Sequence, residues 1–167
     1  MSDSLLPQVL VDKARQVVEA NRAAGRRVTV AESCTGGLVS AALTEIPGSS
    51  EIFDAGYVTY SNAAKIHELH VSEEVVDTFG AVSVATAWAM ARGALAASDA
   101  DVAVAVTGIA GPGGGTAQKP VGTVVFARAE RDADPAKIVA DQKFFDETTR
   151  SGVRLQAALC ALDLLIP

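Results

Sequence analysis

The sequence predicts an α/β fold, a three-layer α/β/α sandwich on a mixed, mostly parallel sheet. Three observations lead there. Short β-branched runs alternate with amphipathic or alanine-rich stretches along the chain. The helical stretches are numerous enough to cover both faces of a sheet. The last two strand segments, 121–128 and 138–145, are joined only by a short polar loop at 130–136, which makes them an antiparallel hairpin.

The elements follow in order. Leu10, Ala14, Val17 and Val18 share one helical face, so 4–24 reads as an amphipathic helix, with Gly25 as its stop. Residues 27–31 form the first strand. A helix starts at Gly37 and ends near the turn cluster Pro47-Gly48-Ser49-Ser50. Residues 53–60 hold β-formers and make the second strand. Ser61 or Asn62 caps a short helix through His70, and Ser72 caps another with Glu74 near its first turn. Ser83 opens an alanine-rich helix to about Ala97. Asp-Val-Ala-Val-Ala-Val at 101–106 is a buried strand, and 107–120 is a glycine-rich loop. After the hairpin, a last helix spans 149–165, with Val153, Ala157, Cys160 and Leu164 on one side.

Composition narrows the function. The 167 residues suit one domain, 1–167, with neither repeat nor linker, and 49% hydrophobic content argues against disorder. The formal net charge of −6 speaks against nucleic acid as the main partner, yet leaves room for a small anionic ligand in a local pocket. Cys34 and Cys160 have no metal-ligand spacing, so no metal site is expected. The apolar run at 5–11 is too short for a signal peptide, and none approaches the ~20 residues of a membrane span. A reducing cytoplasm is the expected location.

Four segments can carry chemistry. Ala31-Glu32-Ser33-Cys34-Thr35-Gly36-Gly37 joins a strand to a helix, which exposes a serine at a helix N-terminus. Such a serine can be a nucleophile, a phosphate ligand, or part of a well-capped helix. Thr107-Gly108-Ile109-Ala110-Gly111-Pro112-Gly113-Gly114 leaves the end of a buried strand, where ligands bind in open α/β sheets. It is neither a Walker A loop nor a dinucleotide fingerprint. Tyr60 and Lys65 flank the second strand's end, and a lysine kept neutral by burial can act as a serine's base. Arg150 and Arg154 sit one turn apart at a helix start, an arrangement the dipole disfavours unless an anion is near. His67 and His70 allow a Ser-His-Asp triad, and Cys34 an alternative nucleophile.

Together these segments resemble a known family. Ala-Glu-Ser-Cys-Thr-Gly-Gly at 31–37, Tyr-Ser-Asn at 60–62 with Lys65, Gly-Ala-Val-Ser at 80–83, Thr-Gly-Ile-Ala-Gly-Pro-Gly-Gly at 107–114 and Lys-Pro-Val-Gly-Thr-Val at 119–124 occur in that order. The pattern is similar to the C-terminal domain of the competence/damage-inducible protein CinA, whose stand-alone members include nicotinamide-nucleotide amidases. The resemblance implies a serine amidohydrolase that needs neither metal nor cofactor and converts nicotinamide mononucleotide (NMN) to nicotinate mononucleotide and ammonia, in pyridine nucleotide salvage. It implies Ser33 as nucleophile, activated by Tyr60 and Lys65. Thr35, Gly36 and Gly37 would shape the turn and supply oxyanion donors. Ser50, Thr107, Gly108, Gly111, Gly113 and Gly114 would line the nucleotide site, and Arg150 would pair with the 5′-phosphate. A homodimer or higher homo-oligomer is implied, with a small pyridine nucleotide as partner and neither nucleic acid nor membrane.

The chain departs from the family pattern at Val84, where an acidic residue is expected, and at Asp146-Glu147-Thr148-Thr149, which lacks the usual approach to Arg150. The departures leave open a catalytically silent nucleotide-binding paralogue, and the family's name leaves open a competence or damage-response interaction protein.

Overall fold

A five-stranded sheet in the order β2-β1-β3-β4-β5 separates two groups of helices in the computed structural model, which describes residues 3–167. The strands are β1 (Val28–Glu32), β2 (Phe53–Val58), β3 (Val102–Gly108), β4 (Thr123–Glu130) and β5 (Ala140–Phe144). The helices are α1 (Gln8–Ala24), α2 (Leu38–Thr44), α3 (Asn62–Leu69), α4 (Glu73–Phe79), α5 (Val84–Ala96) and α6 (Arg150–Leu164). The first two residues of the expected domain lie outside the described residues.

The sheet is mixed. β1 pairs in parallel with β2 and β3, whereas β4 runs antiparallel to both β3 and β5. The expected β4–β5 hairpin is present, and β4 alone opposes the common strand direction.

Alternation along the strands sorts large from small side chains. Val28, Val30, Val102, Val104, Val106, Val124 and Phe126 fill the layer beneath α1, α2 and α6. Ala31, Ala103, Ala105, Ala127 and Ala129, with Val125 among them, face the other side, where Ala87, Met90, Ala91 and Ala94 of α5 pack on them. Small residues on both partners let α5 lie close to the sheet. Gly93 does the same toward α3: a Cβ there would sit 2.1 Å from the Leu69 carbonyl oxygen.

Several expected boundaries move. α1 begins at Gln8 rather than at 4, because Pro7 serves as its N-cap and its carbonyl accepts the Leu10 and Val11 amides. The turn after α2 contains a single 3-10 turn, Ser49–Glu51. β3 extends through Thr107 and Gly108, which pair with Val125 and Val124 of β4, so the glycine-rich loop starts two residues later than expected. β4 starts at Thr123 because the Thr123 amide closes a turn on the Pro120 carbonyl, with Gly122 at a φ of 99°. No helix among the described residues is long and apolar enough to cross a membrane.

Candidate active site

Ser33 follows the last residue of β1, at the carboxyl edge of the parallel strands where such sheets hold ligands. Its amide donates to the Val106 carbonyl at 2.9 Å, which anchors it to β3. The turn then closes through the Gly36 amide on the Ser33 carbonyl (3.0 Å) and the Leu38 amide on the Thr35 carbonyl (3.1 Å). Gly36 and Gly37 have φ of 59° and 98°, backbone that a side chain strains. Arg154 supports the turn from α6, donating to the carbonyls of Cys34 and Thr35 at 3.1 Å each.

The N-terminus of α2 is not open to a ligand, contrary to the expectation from the strand–turn–helix pattern. Glu32, fully buried, already caps it. One carboxylate oxygen accepts from the Thr35 hydroxyl (2.7 Å) and the Val39 amide (2.9 Å), the other from the Ser40 amide (3.0 Å) and hydroxyl (2.7 Å). The positive end of the helix is thereby neutralised inside the protein. The Gly36 amide is likewise committed to the turn, so it is not a free oxyanion donor.

Lys65 approaches from α3. Ser61 caps that helix by accepting the Ala64 amide at 3.0 Å, and Lys65 falls in its first turns, 1% exposed. Its Nζ donates to the carbonyls of Thr59 (2.9 Å) and Tyr60 (3.1 Å) and lies 2.9 Å from Ser33 Oγ. Burial disfavours the ammonium and pulls its pKa from 10.5 to about 8. In the neutral amine, two N–H bonds serve the two carbonyls. The lone pair is then left facing Ser33 Oγ, the geometry for accepting the serine proton.

Around this pair lies a cavity of about 270 Å³. It brings together the expected residues Ser33, Tyr60, Lys65, Thr107, Gly108, Gly111, Gly113, Gly114 and Arg150. Arg150 donates to the Gly111 carbonyl (2.6 Å) and the Tyr60 hydroxyl (2.8 Å), so it ties the glycine-rich loop to the cavity rim. The departures at 146–149 therefore leave Arg150 in the cavity, with Thr149 capping α6 through the Gly152 amide. The Thr107 hydroxyl donates to the Ala81 carbonyl, which draws the 80–83 segment onto the end of β3.

Not every expected residue reaches the cavity. Thr35 is fully buried and faces Glu32, while Gly36 and Gly37 act through backbone conformation. Ser50 is exposed at the opposite edge: its neighbour Ile52 bonds to Val28, the first residue of β1. Tyr60 does line the cavity: its carbonyl holds Lys65, and its hydroxyl, on a residue 60% exposed, bonds to Arg150 and not to Ser33. Arg154 is held by turn carbonyls, which answers for its place at the helix start without an anion.

The alternative nucleophile and base both fall away. Cys34 also lines the cavity, but burial pushes its thiol up to about 11, which disfavours the thiolate a nucleophile needs. His67 and His70 are exposed and lie outside the cavity. A larger cavity of about 380 Å³ lies near Trp88 and the 133–137 loop, at the far edge, without a nucleophile–base pair. Glu32 is the residue that motif reading left unassigned. The signal was an acid at a strand's end followed by Thr35 and Ser40 around a helix start.

A mixed α/β sheet with a buried serine–lysine pair in a cleft at its carboxyl edge defines a small-molecule site of hydrolase type. Within that class the chain belongs to the CinA C-terminal domain family, whose model matches residues 11–167. It is 50% identical over 162 residues to the nicotinamide-nucleotide amidohydrolase PncC of Enterobacter agglomerans, which covers 97% of this chain and 94% of that protein. It is 51% identical over 146 residues to a putative competence-damage inducible protein of Symbiobacterium thermophilum, covering 84% of this chain but only 34% of that longer protein. The crystal structure of the competence/damage inducible protein CihA from Agrobacterium tumefaciens superposes with a TM-score of 0.92 at 47% identity, covering 98% of this chain and 97% of that one.

Proposed function

We propose that this protein is a nicotinamide-nucleotide amidohydrolase, releasing ammonia from NMN to leave nicotinate mononucleotide, with Ser33 as nucleophile. The amidohydrolase relative matches nearly end to end, which supports the activity and substrate class. The observation that carries the mechanism is the 2.9 Å contact between Lys65 Nζ and Ser33 Oγ.

Neutral Lys65 takes the Ser33 proton as Oγ attacks the carboxamide carbon. The C–N bond then breaks, and Lys65 returns the proton to nitrogen so that ammonia leaves. Lys65 then takes a proton from the water that attacks the acyl-serine and returns it to Ser33 Oγ as the C–O bond breaks. The acid formed loses its proton to solvent as the carboxylate. Negative charge builds on the carbonyl oxygen during both attacks, and amides aimed at it stabilise each transition state. The Ser33 and Gly36 amides are already bonded, so the donors come from elsewhere on the cavity wall. Arg150, at the rim beside the glycine-rich loop, is placed to meet the 5′-phosphate.

The acidic net charge of −6 supports a small-molecule partner over nucleic acid. Cytoplasmic location and a homodimer or higher homo-oligomer belong to the same reading. The silent-paralogue reading loses its main support, because Arg150 does reach the cavity and Val84 is not among the residues lining it.

Purified protein incubated with NMN, with Ser33→Ala beside it, tests the proposal. Ammonia and nicotinate mononucleotide in equal amounts from the wild type alone support it. Binding without turnover by wild type contradicts it.

A further inference from the structure

Four donors converge on the Glu32 carboxylate, and two are fixed backbone amides. Val39 N–H points at one oxygen and Ser40 N–H at the other. A carboxylate accepts at both oxygens and suits this arrangement. An amide does not: whichever way glutamine is turned, its NH2 faces one of the two backbone N–H groups. The hydroxyls of Thr35 and Ser40 can rotate away, but the main-chain donors cannot.

The same residue is joined to both halves of the serine–lysine pair. Its side chain holds Thr35, two residues beyond Ser33, together with the first turn of α2. Its carbonyl accepts the Thr59 amide at 2.9 Å, and the Thr59 carbonyl in turn accepts from Lys65. The structure assigns Glu32 as a positioning residue: its buried carboxylate sets the Ser33 turn against Lys65, and neutral glutamine cannot replace it. Glu32 does not line the cavity, so it acts through Ser33 and not on substrate. This assignment rests on Ser33 and Lys65 being nucleophile and base.

An alkyl fluorophosphonate separates the assignment from the choice of substrate. Ser33 Oγ bonds to phosphorus, fluoride leaves, and the serine proton passes to the Lys65 amine. The labelling rate of Ser33 per folded molecule is followed by mass spectrometry in wild type, Ser33→Ala, Glu32→Gln and Thr35→Val, beside kcat and KM for NMN. Glu32→Gln is expected to label about 100-fold more slowly, the scale of loss when a reacting group is displaced by about 1 Å. Its kcat falls by a similar factor with KM unchanged. Thr35→Val, which removes a single donor, decides if Glu32→Gln does not fold, and slower labelling at unchanged KM is expected.

Wild-type labelling rates in folded Glu32→Gln overturn the assignment, as they do in Thr35→Val where Glu32→Gln does not fold. So does a wild type that is not labelled at all, or labelling that persists in Ser33→Ala, since either removes the nucleophile. Rapid Ser33 labelling without NMN turnover removes the proposed substrate alone and leaves Glu32 to be judged by its own rates.

Discussion

Lys65 Nζ and Ser33 Oγ lie 2.9 Å apart although 32 positions separate them in the chain. Ser33 is 7% exposed and Lys65 1% exposed, so the contact is largely shielded from bulk solvent at the cavity wall. There the amine loses its proton more readily than in water.

Replacing Lys65 with Met removes the proposed base and keeps an unbranched side chain of similar length. The expected loss in kcat is about 10²–10⁴-fold, the usual contribution of a positioned base. Steady-state kinetics measure it, and a Lys65→Met enzyme within a few-fold of wild type contradicts the assigned role.

The pH profile follows from the same amine. The proposed mechanism needs it neutral, so kcat/KM for NMN is expected to rise with pH and level off above about 8. An ascending limb centred near 10.5, the ordinary lysine value, contradicts this.

Stability should carry the same signature. Between about 8 and 10.5 the unfolded chain holds the Lys65 proton while the folded chain has lost it, so folding stability rises with pH there. Cys34 acts oppositely: its folded pKa is raised from 9.0 to about 11, so stability falls with pH across that interval. The lysine's effect is therefore clearest between about pH 8 and 9. A rise in Tm across that step, absent in Lys65→Met, is expected; an equal rise in both proteins contradicts it.

Arg150→Ala tests the proposed phosphate contact. Loss of a charge-assisted hydrogen bond costs about 1.5–3 kcal/mol, so KM for NMN should rise roughly 10- to 100-fold. Turnover of nicotinamide riboside, which has no phosphate, should change much less. Equal effects on both substrates would place the role of Arg150 in holding Gly111 and Tyr60 instead.

Gly93→Ala probes the close approach of α3 to α5. Its Cβ would lie 2.1 Å from the Leu69 carbonyl oxygen, and backbone cannot yield as a flexible side chain can. Overpacking of this kind costs about 1–3 kcal/mol, or roughly 2–4 °C in Tm per kcal/mol for a chain of this size. Thermal unfolding measures it; an unchanged Tm contradicts the packing described.

Much of the fold was legible because local signals agreed with the global pattern. The apolar run at 102–106 marked a buried strand, and Gly25 marked the end of α1. That Ser33, Lys65 and Arg150 meet in one cavity was legible because their motifs are distinctive. The electrostatics of the turn was less so: a strand–turn–helix pattern suggests an open helix N-terminus, but only the folded chain shows Glu32 turning back to occupy it. The antiparallel β3–β4 pairing was hidden for another reason. A loop as long as 109–122 does not distinguish a crossover from a return on the same edge. Tyr60 holds Lys65 through its carbonyl, a main-chain contact that residue type does not disclose.

The most direct measurement is hydrolysis of NMN by wild type and Ser33→Ala, with folding of both checked by circular dichroism. Equal release of ammonia and nicotinate mononucleotide by wild type, abolished in a folded Ser33→Ala, is the result this account predicts. Turnover retained by Ser33→Ala would contradict the Ser33–Lys65 mechanism, and no turnover by wild type would contradict the proposed activity.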